Sequence, residues 1–227
     1  MNGREDAEFD PYANSYDETI DAALSGMGVR ATYFSRYRAR YIAGRLKLAT
    51  DARVLDYGCG TGNLSVELQA LAPGLDLDGY DPSSECIAGI PQSLQGQGAF
   101  TSNLAGLGSD YDCILLSMVL HHITPPDRVS VLSALGQRLN EGGCLVIFEH
   151  NPLNPLTRRV VDRCPFDRDA TLVRPAQAVA LSRDAGFERQ RLDYLGFFPP
   201  PLGGLDRFLA WCPLGVQYVL IVMRIRN

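Results

Sequence analysis

One segment restricts the possible folds of this chain more than any other. Residues 54–63 read VLDYGCGTGN, in which a short apolar run gives way to three closely spaced glycines, Gly58, Gly60 and Gly62. The apolar run predicts a buried strand, and the pattern that follows Gly62 predicts a helix. Glycines between the two let the backbone approach a ligand closely, and the first turn of the helix presents free N–H groups. The segment therefore predicts a strand, a ligand-binding turn and a helix.

Strand-like and helical patterns alternate along the rest of the chain. The predicted strands cover residues 53–57, 75–80, 99–102, 112–117, 144–149, 188–196 and 217–225. The predicted helices between them cover residues 62–71, 83–89, 127–139 and 176–185. Such alternation produces right-handed βαβ units and a parallel sheet that is covered by helices on both faces. The expected fold class is α/β, with a doubly wound sheet.

Composition and charge limit the functional classes. Hydrophobic residues make up 46% of the 227 residues and charged residues 21%, which is typical of an ordinary globular protein. The formal net charge of −5 gives no general attraction to nucleic acid or to anionic lipid. No apolar stretch approaches the roughly 20 residues of a membrane span, so no stable membrane insertion is expected. The first residues, MNGREDAEFD, resemble neither a secretory signal nor a transit peptide, which predicts a cytoplasmic location.

The six cysteines are widely spaced, without a CxxC pair or a Cys/His cluster at zinc spacing. They are expected to be reduced thiols in or near the core, and no metal site is expected. The sequence leaves the oligomeric state open.

The first 50 residues differ from the rest in charge. Residues 1–21 hold seven carboxylates against Arg4, whereas residues 22–47 hold six bases and no acid. Tyr33, Tyr37 and Tyr41 follow one another at helical spacing, which is more typical of core packing than of a lid over a ligand. Because the charge and aromatic content of residues 1–50 differ from those of the rest, these residues are predicted to form an N-terminal helical lid segment before the main domain of residues 51–227.

Two carboxylates accompany the glycine-rich segment. Asp56 stands two residues before Gly58, where it would repel a pyrophosphate but suits an ammonium group. Asp81 follows the second predicted strand, where an acid can accept both hydroxyls of an adenosine ribose. The third glycine also comes one residue too early for the dinucleotide pattern. An adenosine joined to a cationic amino acid satisfies both carboxylates, and an NAD(P)-dependent oxidoreductase remains the alternative.

These residues resemble the class I S-adenosylmethionine-dependent methyltransferases, from about Asp51 to the end of the chain. The resemblance implies S-adenosylmethionine as cofactor and a Rossmann-like, mostly parallel seven-stranded sheet whose last strand is antiparallel. It implies that the loop after the first strand holds the methionyl part, that Asp81 holds the ribose and that the residues after it line the adenine. The run SMVLHHI at residues 117–123 is similar to a segment of the ubiquinone and menaquinone methyltransferases. The cofactor-binding residues so implied are Asp56, Gly58, Cys59, Gly60, Gly62, Asp81, Pro82, Asn103, Leu104 and Ser117. Asn103 stands where many members of the family have an acid.

All three histidines, His121, His122 and His150, follow the ends of predicted strands. In open α/β sheets this edge binds ligands, although a lone histidine there is often structural. A sulfonium is already an activated methyl donor, so a base is needed only for a poor nucleophile. His150 is the first candidate for a catalytic base and His121 the second.

Two later segments are candidates for the acceptor site. Residues 151–175 form an insertion with four prolines and five arginines after a predicted strand, a common place for an active-site cover. The run FFPPPLGGL at residues 197–205 adds aromatic and aliphatic side chains, which could line a pocket or pack on the sheet. The acceptor is expected beside His150 and below Phe197 and Phe198. These walls suit a small amphiphilic or anionic molecule, and a catalytically silent binding protein is the second alternative.

Overall fold

A computed structural model describes residues 21–22, 30–96, 98–165, 170–198 and 200–225. Most of the predicted lid segment, including Tyr12 and Tyr16, lies outside these residues, as do Arg168 and the pair Asp167 and Asp169 in the insertion. The division into a lid and a main domain therefore remains a prediction. Tyr33, Tyr37 and Tyr41 do lie within a helix, as their spacing predicts.

The described chain alternates between strands and helices. The strands are β1 (Arg53–Tyr57), β2 (Asp76–Tyr80), β3 (Phe100–Thr101), β4 (Tyr111–Ser117), β5 (Leu139–His150), β6 (Phe187–Leu195) and β7 (Gln217–Arg224). The α-helices are α1 (Ala31–Arg45), α2 (Asn63–Leu71), α3 (Ser84–Ala88), α4 (Arg128–Gly136), α5 (Pro155–Val161) and α6 (Pro175–Asp184). Short 3₁₀ helices cover Leu104–Gly106, Pro125–Asp127 and Pro200–Phe208.

The strands form a seven-stranded sheet in the order β3-β2-β1-β4-β5-β7-β6. The pairs β1–β2, β1–β4, β2–β3 and β4–β5 are parallel. β7 runs antiparallel to both of its neighbours, β5 and β6. This is the doubly wound α/β sheet with an antiparallel last strand that the sequence and its family resemblance predict.

Alternate residues of the central strands face two separate cores. On β4, Ile114 and Leu116 belong to the core under α4 and α6, whereas Cys113 and Leu115 belong to the core under α1 and α2. The period of two residues follows from the pleat of a strand, so a strand buried on both faces is apolar throughout. Four of the six cysteines are buried, and Cys164 and Cys212 are half-buried. In the described part of the chain, no helix is long and apolar enough to cross a membrane.

Candidate active site

The loop between β1 and α2 lies at the carboxyl edge of the sheet. The amides of Gly58 and Cys59 both donate to the carbonyl oxygen of Tyr80, at 2.6 and 2.9 Å, which ties the loop to the end of β2. At Gly58 a Cβ would collide with the side chain of Val119, and the backbone has a φ of +78°. At Gly60, by contrast, a Cβ would meet no atom within 4 Å, so the backbone there borders open space. Gly58 is thus required for close packing against Val119, whereas Gly60 leaves the backbone of the loop open.

Asp81 connects this loop to the tip of β2. Its Oδ2 accepts from the amide of Gly60 at 2.8 Å, and its Oδ1 accepts from the amide of Ser83 at 3.0 Å. Both carboxylate oxygens therefore take part in fixing the loop against the tip of β2. Pro82 follows directly and is half-buried. Asp81 is therefore a structural residue of the loop whatever it binds in addition.

Asp56 occupies the opposite side of the loop, at the end of β1. It is only 1% exposed, and its Oδ2 accepts from the Ser65 hydroxyl on α2 at 2.7 Å. Its Oδ1 is buried and accepts no hydrogen bond from the described residues. Burial raises the pKa of the carboxyl to about 6, although the Ser65 hydrogen bond and the Arg38 charge oppose this. A buried carboxylate oxygen without a donor is costly, so it fits a site for the ammonium group of a ligand.

Arg38 reaches the same region from α1, and sequence reasoning missed it. Its Nη1 donates to the Ser117 hydroxyl at the end of β4 at 3.1 Å, and its Nε donates to Gln217 Oε1 at the start of β7 at 3.2 Å. The sequence shows only that residues 30–47 are basic. No local signal distinguishes Arg38, because its partners are 79 and 179 residues away.

Asn103 follows β3 on the same side of the sheet. Its Oδ1 accepts from the Ala105 amide at 3.0 Å and so caps the 3₁₀ turn that begins at Leu104. Asn103 is exposed and Leu104 is half-buried. The adenine contact implied by the resemblance stays a prediction for both.

The three histidines come together beyond β4 and β5. The ring of His121 lies 4.1 Å from that of His122 and 5.3 Å from that of His150, between centroids. His121 Nδ1 lies 2.6 Å from Oε2 of Glu149, and both side chains are buried. Glu149 Oε1 accepts from the Leu120 amide at 2.8 Å, so both carboxylate oxygens are engaged. His121, the second candidate from the sequence, is thus the histidine with a buried carboxylate partner.

Glu149 was not among the predicted site residues. Burial raises the pKa of its carboxyl, but the three histidines, above all His121, lower it by more, so the net pKa lies below its usual value. A signal was present in the sequence, because an acid at the end of the apolar run CLVIF is rarely buried unless it is paired. The partner, 28 residues earlier in the chain, could not be identified from that signal.

The insertion contacts this region through Thr171. The Thr171 amide donates to the His121 carbonyl at 3.0 Å, and Arg128 Nη2 donates to the Thr171 carbonyl at 2.7 Å. In the aromatic loop, which comprises residues 197–205, the amides of Phe197 and Phe198 both donate to Asp206 Oδ1 at 3.2 Å. Phe197 and Phe198 are half-buried. The described residues contain no group of three or more side chains that could hold a metal ion.

Comparison with known proteins relates this geometry to one family. The profile described as "Methyltransferase domain" matches residues 31–189. Trans-aconitate 2-methyltransferase of Methylobacterium nodulans is 32% identical over 131 residues, which cover 55% of this chain and 50% of that protein. Carboxy-S-adenosyl-L-methionine synthase of Campylobacter curvus is 28% identical over 148 residues, covering 63% of this chain and 61% of that protein. An uncharacterised protein of Synechococcus sp. is 31% identical over 151 residues, 63% of this chain, but only 35% of its own length is covered. The chain thus spans between about a third and three fifths of these three relatives.

Solved structures of lower identity share the fold. An S-adenosylmethionine-dependent methyltransferase from Thermotoga maritima superposes with a TM-score of 0.68 at 18% identity, covering 98% of this chain and 100% of that one. CalO1, a methyltransferase in calicheamicin biosynthesis in its S-adenosylhomocysteine-bound form, gives a TM-score of 0.64 at 17% identity, covering 97% of this chain and 60% of that one. The family profile covers well over half of the chain, and the sheet order and the glycine-rich loop agree with it. The chain therefore belongs to the class I S-adenosylmethionine-dependent methyltransferases.

Proposed function

We propose that this chain transfers the methyl group of S-adenosylmethionine, by in-line displacement, to a small amphiphilic or anionic acceptor, with His121 as the general base. The observation that carries the proposal is the buried contact of 2.6 Å between His121 Nδ1 and Glu149 Oε2. A carboxylate on one ring nitrogen fixes the ring orientation and makes the other nitrogen the basic one. Such a pair is needed when the acceptor is a poor nucleophile, for example a hydroxyl group.

The donor would lie across the loop between β1 and α2. Asp56 offers a buried carboxylate oxygen to the ammonium group. Asp81, which accepts from the Gly60 amide, lies at the tip of β2, where an acid would accept ribose hydroxyls. The backbone beneath the methionyl part would come from Gly58, Cys59, Gly60 and Gly62. The rest of the donor would be surrounded by Pro82, Asn103, Leu104 and Ser117. When bound, S-adenosylmethionine supplies an activated methyl group, so alignment of the acceptor provides much of the rate.

Arg38 supports an anionic group in the neighbourhood of the donor. Its guanidinium group lies at the end of β4 and the start of β7, and its positive charge partly opposes the rise in the pKa of Asp56. A carboxylate of the donor or of an acceptor would meet this positive charge. The name of one relative, trans-aconitate 2-methyltransferase, specifies an organic anion as its acceptor, which supports the same class for this chain.

As candidates for the base, we place His121 before His150, which reverses the order expected from the sequence. His150 is half-buried and touches the His121 ring, but Glu149 engages His121 through its side chain. We therefore place the base at His121, and Glu149 becomes a positioning residue for that ring. His150 would then border the acceptor.

The test measures S-adenosylhomocysteine release from S-adenosylmethionine with trans-aconitate and a panel of amphiphilic acids and phenols as acceptors. His121→Gln should lower turnover by roughly a hundredfold or more, as expected for loss of a general base, while donor affinity stays within about twofold. His122→Gln is the matched control from the same turn, and its effect should stay below about threefold. Glu149→Gln should lower turnover and shift the pH profile.

Three outcomes separate the alternatives. Full turnover in His121→Gln would mean that alignment alone is enough and would remove the base. If His150→Gln alone abolishes turnover, the base is His150. Tight binding of S-adenosylhomocysteine without transfer to any acceptor would favour a catalytically silent binding protein.

A further inference from the structure

A patch of exposed hydrophobic side chains lies outside the candidate active site. In the described part of the chain nine large hydrophobic residues are exposed, and five of them come from α5 with its preceding turn and from the segment that leads into β7. We call these five the apolar ridge: Leu153, Leu156, Phe208, Trp211 and Leu214. Trp211 is 76% exposed, which is unusual for the largest hydrophobic side chain.

Hydrogen bonds hold the two segments of the ridge together. Asn154, which lies between Leu153 and Leu156, donates through Nδ2 to the Leu214 carbonyl at 2.6 Å. Asn151 donates to the carbonyls of Pro213 and Gly215, at 2.9 and 2.7 Å. The Trp211 indole N–H donates to the Phe208 carbonyl at 3.1 Å. The polar atom of Trp211 is thus satisfied within the chain, and its apolar ring surface is left for a partner.

Arginines border the ridge. Arg158, Arg159 and Arg163 are exposed on α5 or directly after it, accompanied by one exposed acid, Asp162. The guanidinium group of Arg207 lies 4.7 Å from the centre of the Phe208 ring. Residues 166–169, which include one arginine and two aspartates, lie outside the described residues. The ridge is therefore flanked by positive charge in a chain whose net charge is −5.

We propose that the apolar ridge and its arginines dock this chain on the surface of an anionic lipid bilayer. Tryptophan, phenylalanine and leucine beside arginine are the side chains of interfacial membrane anchors, in which rings enter the headgroup region while cations contact lipid phosphates. Charges more than about 10 Å away are screened in salt, so the local arginines outweigh the net charge of the chain at contact. A soluble protein partner would not require this basic border, and a second copy of the chain would bring two like-charged borders together.

The docking face lies beside the proposed acceptor site. α5 begins five residues after His150, and Asn151 joins that turn to the ridge. A chain docked in this way would meet amphiphilic acceptors at the bilayer surface. A measurement of lipid binding requires neither turnover nor a known acceptor. The docking proposal can therefore be wrong while the proposed methyl transfer is correct, and the methyl transfer can be wrong while the docking proposal is correct.

Co-sedimentation of the full chain with vesicles tests the proposal. Vesicles of phosphatidylcholine with phosphatidylglycerol should sediment the protein, and vesicles of phosphatidylcholine alone should sediment much less. Arg159→Glu should weaken binding by roughly fivefold or more, since one cation near such a surface accounts for about that factor. Trp211→Ser should weaken binding by roughly fivefold or more as well, because it removes the exposed ring that would enter the headgroup region. Binding should also fall as salt is added.

Two matched controls come from the same chain. Leu156→Ser should weaken binding, whereas Leu71→Ser, at a position of nearly equal exposure (46% against 45%) on α2, should not. Arg183→Glu changes the net charge as much as Arg159→Glu does, but on α6, and should leave binding within about twofold. All variants alter exposed side chains, and circular dichroism verifies their folding.

Either of two results would overturn the proposal. One is equal sedimentation with both kinds of vesicle, or with neither. The other is a concentration-dependent dimer in light scattering that Trp211→Ser abolishes, because the ridge would then be covered by a second copy of the chain.

Discussion

Asp56 combines a proposed binding role with a cost to stability in a single side chain. Its carboxyl is almost fully buried, has one hydroxyl donor and retains a buried oxygen without a partner in the described chain. Burial raises its pKa from 3.8 to about 6. Because the folded state binds the proton more tightly than the unfolded state, stability is lost as the pH rises from 3.8 to about 6.

Replacing Asp56 by Asn should therefore remove a pH-dependent penalty. Relative to the wild type, Asp56→Asn should gain about 2 kcal/mol in free energy of unfolding between pH ~4.5 and pH ~8, because the variant has no carboxyl to ionise. Urea unfolding at the two pH values measures the difference. The same variant should bind S-adenosylhomocysteine roughly tenfold more weakly, because it lacks the charge opposite the ammonium group.

The control for this prediction is Asp76→Asn at the far end of β2, where the carboxylate is exposed and pairs with Arg53. It removes one exposed negative charge and leaves the candidate site unchanged. A constant difference between Asp56→Asn and the wild type over this pH range would show that the carboxyl of Asp56 does not titrate in the folded state as proposed.

At the level of elements, the hydroxyl groups of two tyrosines hold α1 to β6 and to the 3₁₀ helix that follows β6. The Tyr37 hydroxyl donates to Asp206 Oδ2 at 2.7 Å, and the Tyr41 hydroxyl donates to Asp193 Oδ2 at 2.8 Å. Asp206 also accepts three backbone amides of residues 196–198, so α1 and the aromatic loop share one carboxylate. Burial raises the pKa of Tyr37, and its hydrogen bond to Asp206 raises it further, so the phenol stays protonated and able to donate.

Tyr37→Phe should loosen α1 selectively. Loss of a hydrogen bond to a charged acceptor costs about 1.5 to 3 kcal/mol. Hydrogen exchange should therefore accelerate roughly tenfold or more in α1 while the amides of α4 keep their protection.

Tyr33→Phe provides the matched control one turn away. The Tyr33 hydroxyl is buried and has no hydrogen-bond partner in the described chain, so its removal should leave exchange in α1 unchanged or slower. Equal acceleration in the two variants would show that ring packing, and not the Asp206 hydrogen bond, holds α1.

The same elements show which parts of the fold the sequence could predict. β1, β4 and β7 lie within one or two residues of their predicted bounds, because their apolar runs are buried on both faces. β5 begins five residues earlier than predicted, since its first residues, LNEGG, carry no strand pattern. Of these five, Leu139 pairs with Tyr111 of β4, and the register shifts before Cys144. The glycine-rich loop between β1 and α2 was predictable because its residues are adjacent in sequence. The contacts His121–Glu149, Arg38–Ser117 and Tyr37–Asp206 were not, because tertiary structure alone joins residues so far apart.

At the scale of the whole molecule, the candidate donor site joins loops after β1, β2 and β4 with α1. A ligand bound to several elements at once should stabilise the fold as a unit. S-adenosylhomocysteine at about one hundred times its Kd should add about 2.7 kcal/mol of stability, which raises Tm by roughly 5 to 10 °C for a chain of this length. NAD at the same concentration should produce no shift. A shift with NAD and none with S-adenosylhomocysteine would contradict the donor assignment.

The place of β7 in the sheet also affects how the chain is made. β7 pairs with both β5 and β6, although it follows both of them in sequence. During synthesis from the N-terminus, β5 and β6 therefore emerge before the strand that joins them, and each then has an open edge. Unpaired apolar edges such as the CLVIF run of β5 favour association between nascent chains. The interval between the emergence of β5 and that of β7 is thus the period in which the growing polypeptide exposes these strand edges.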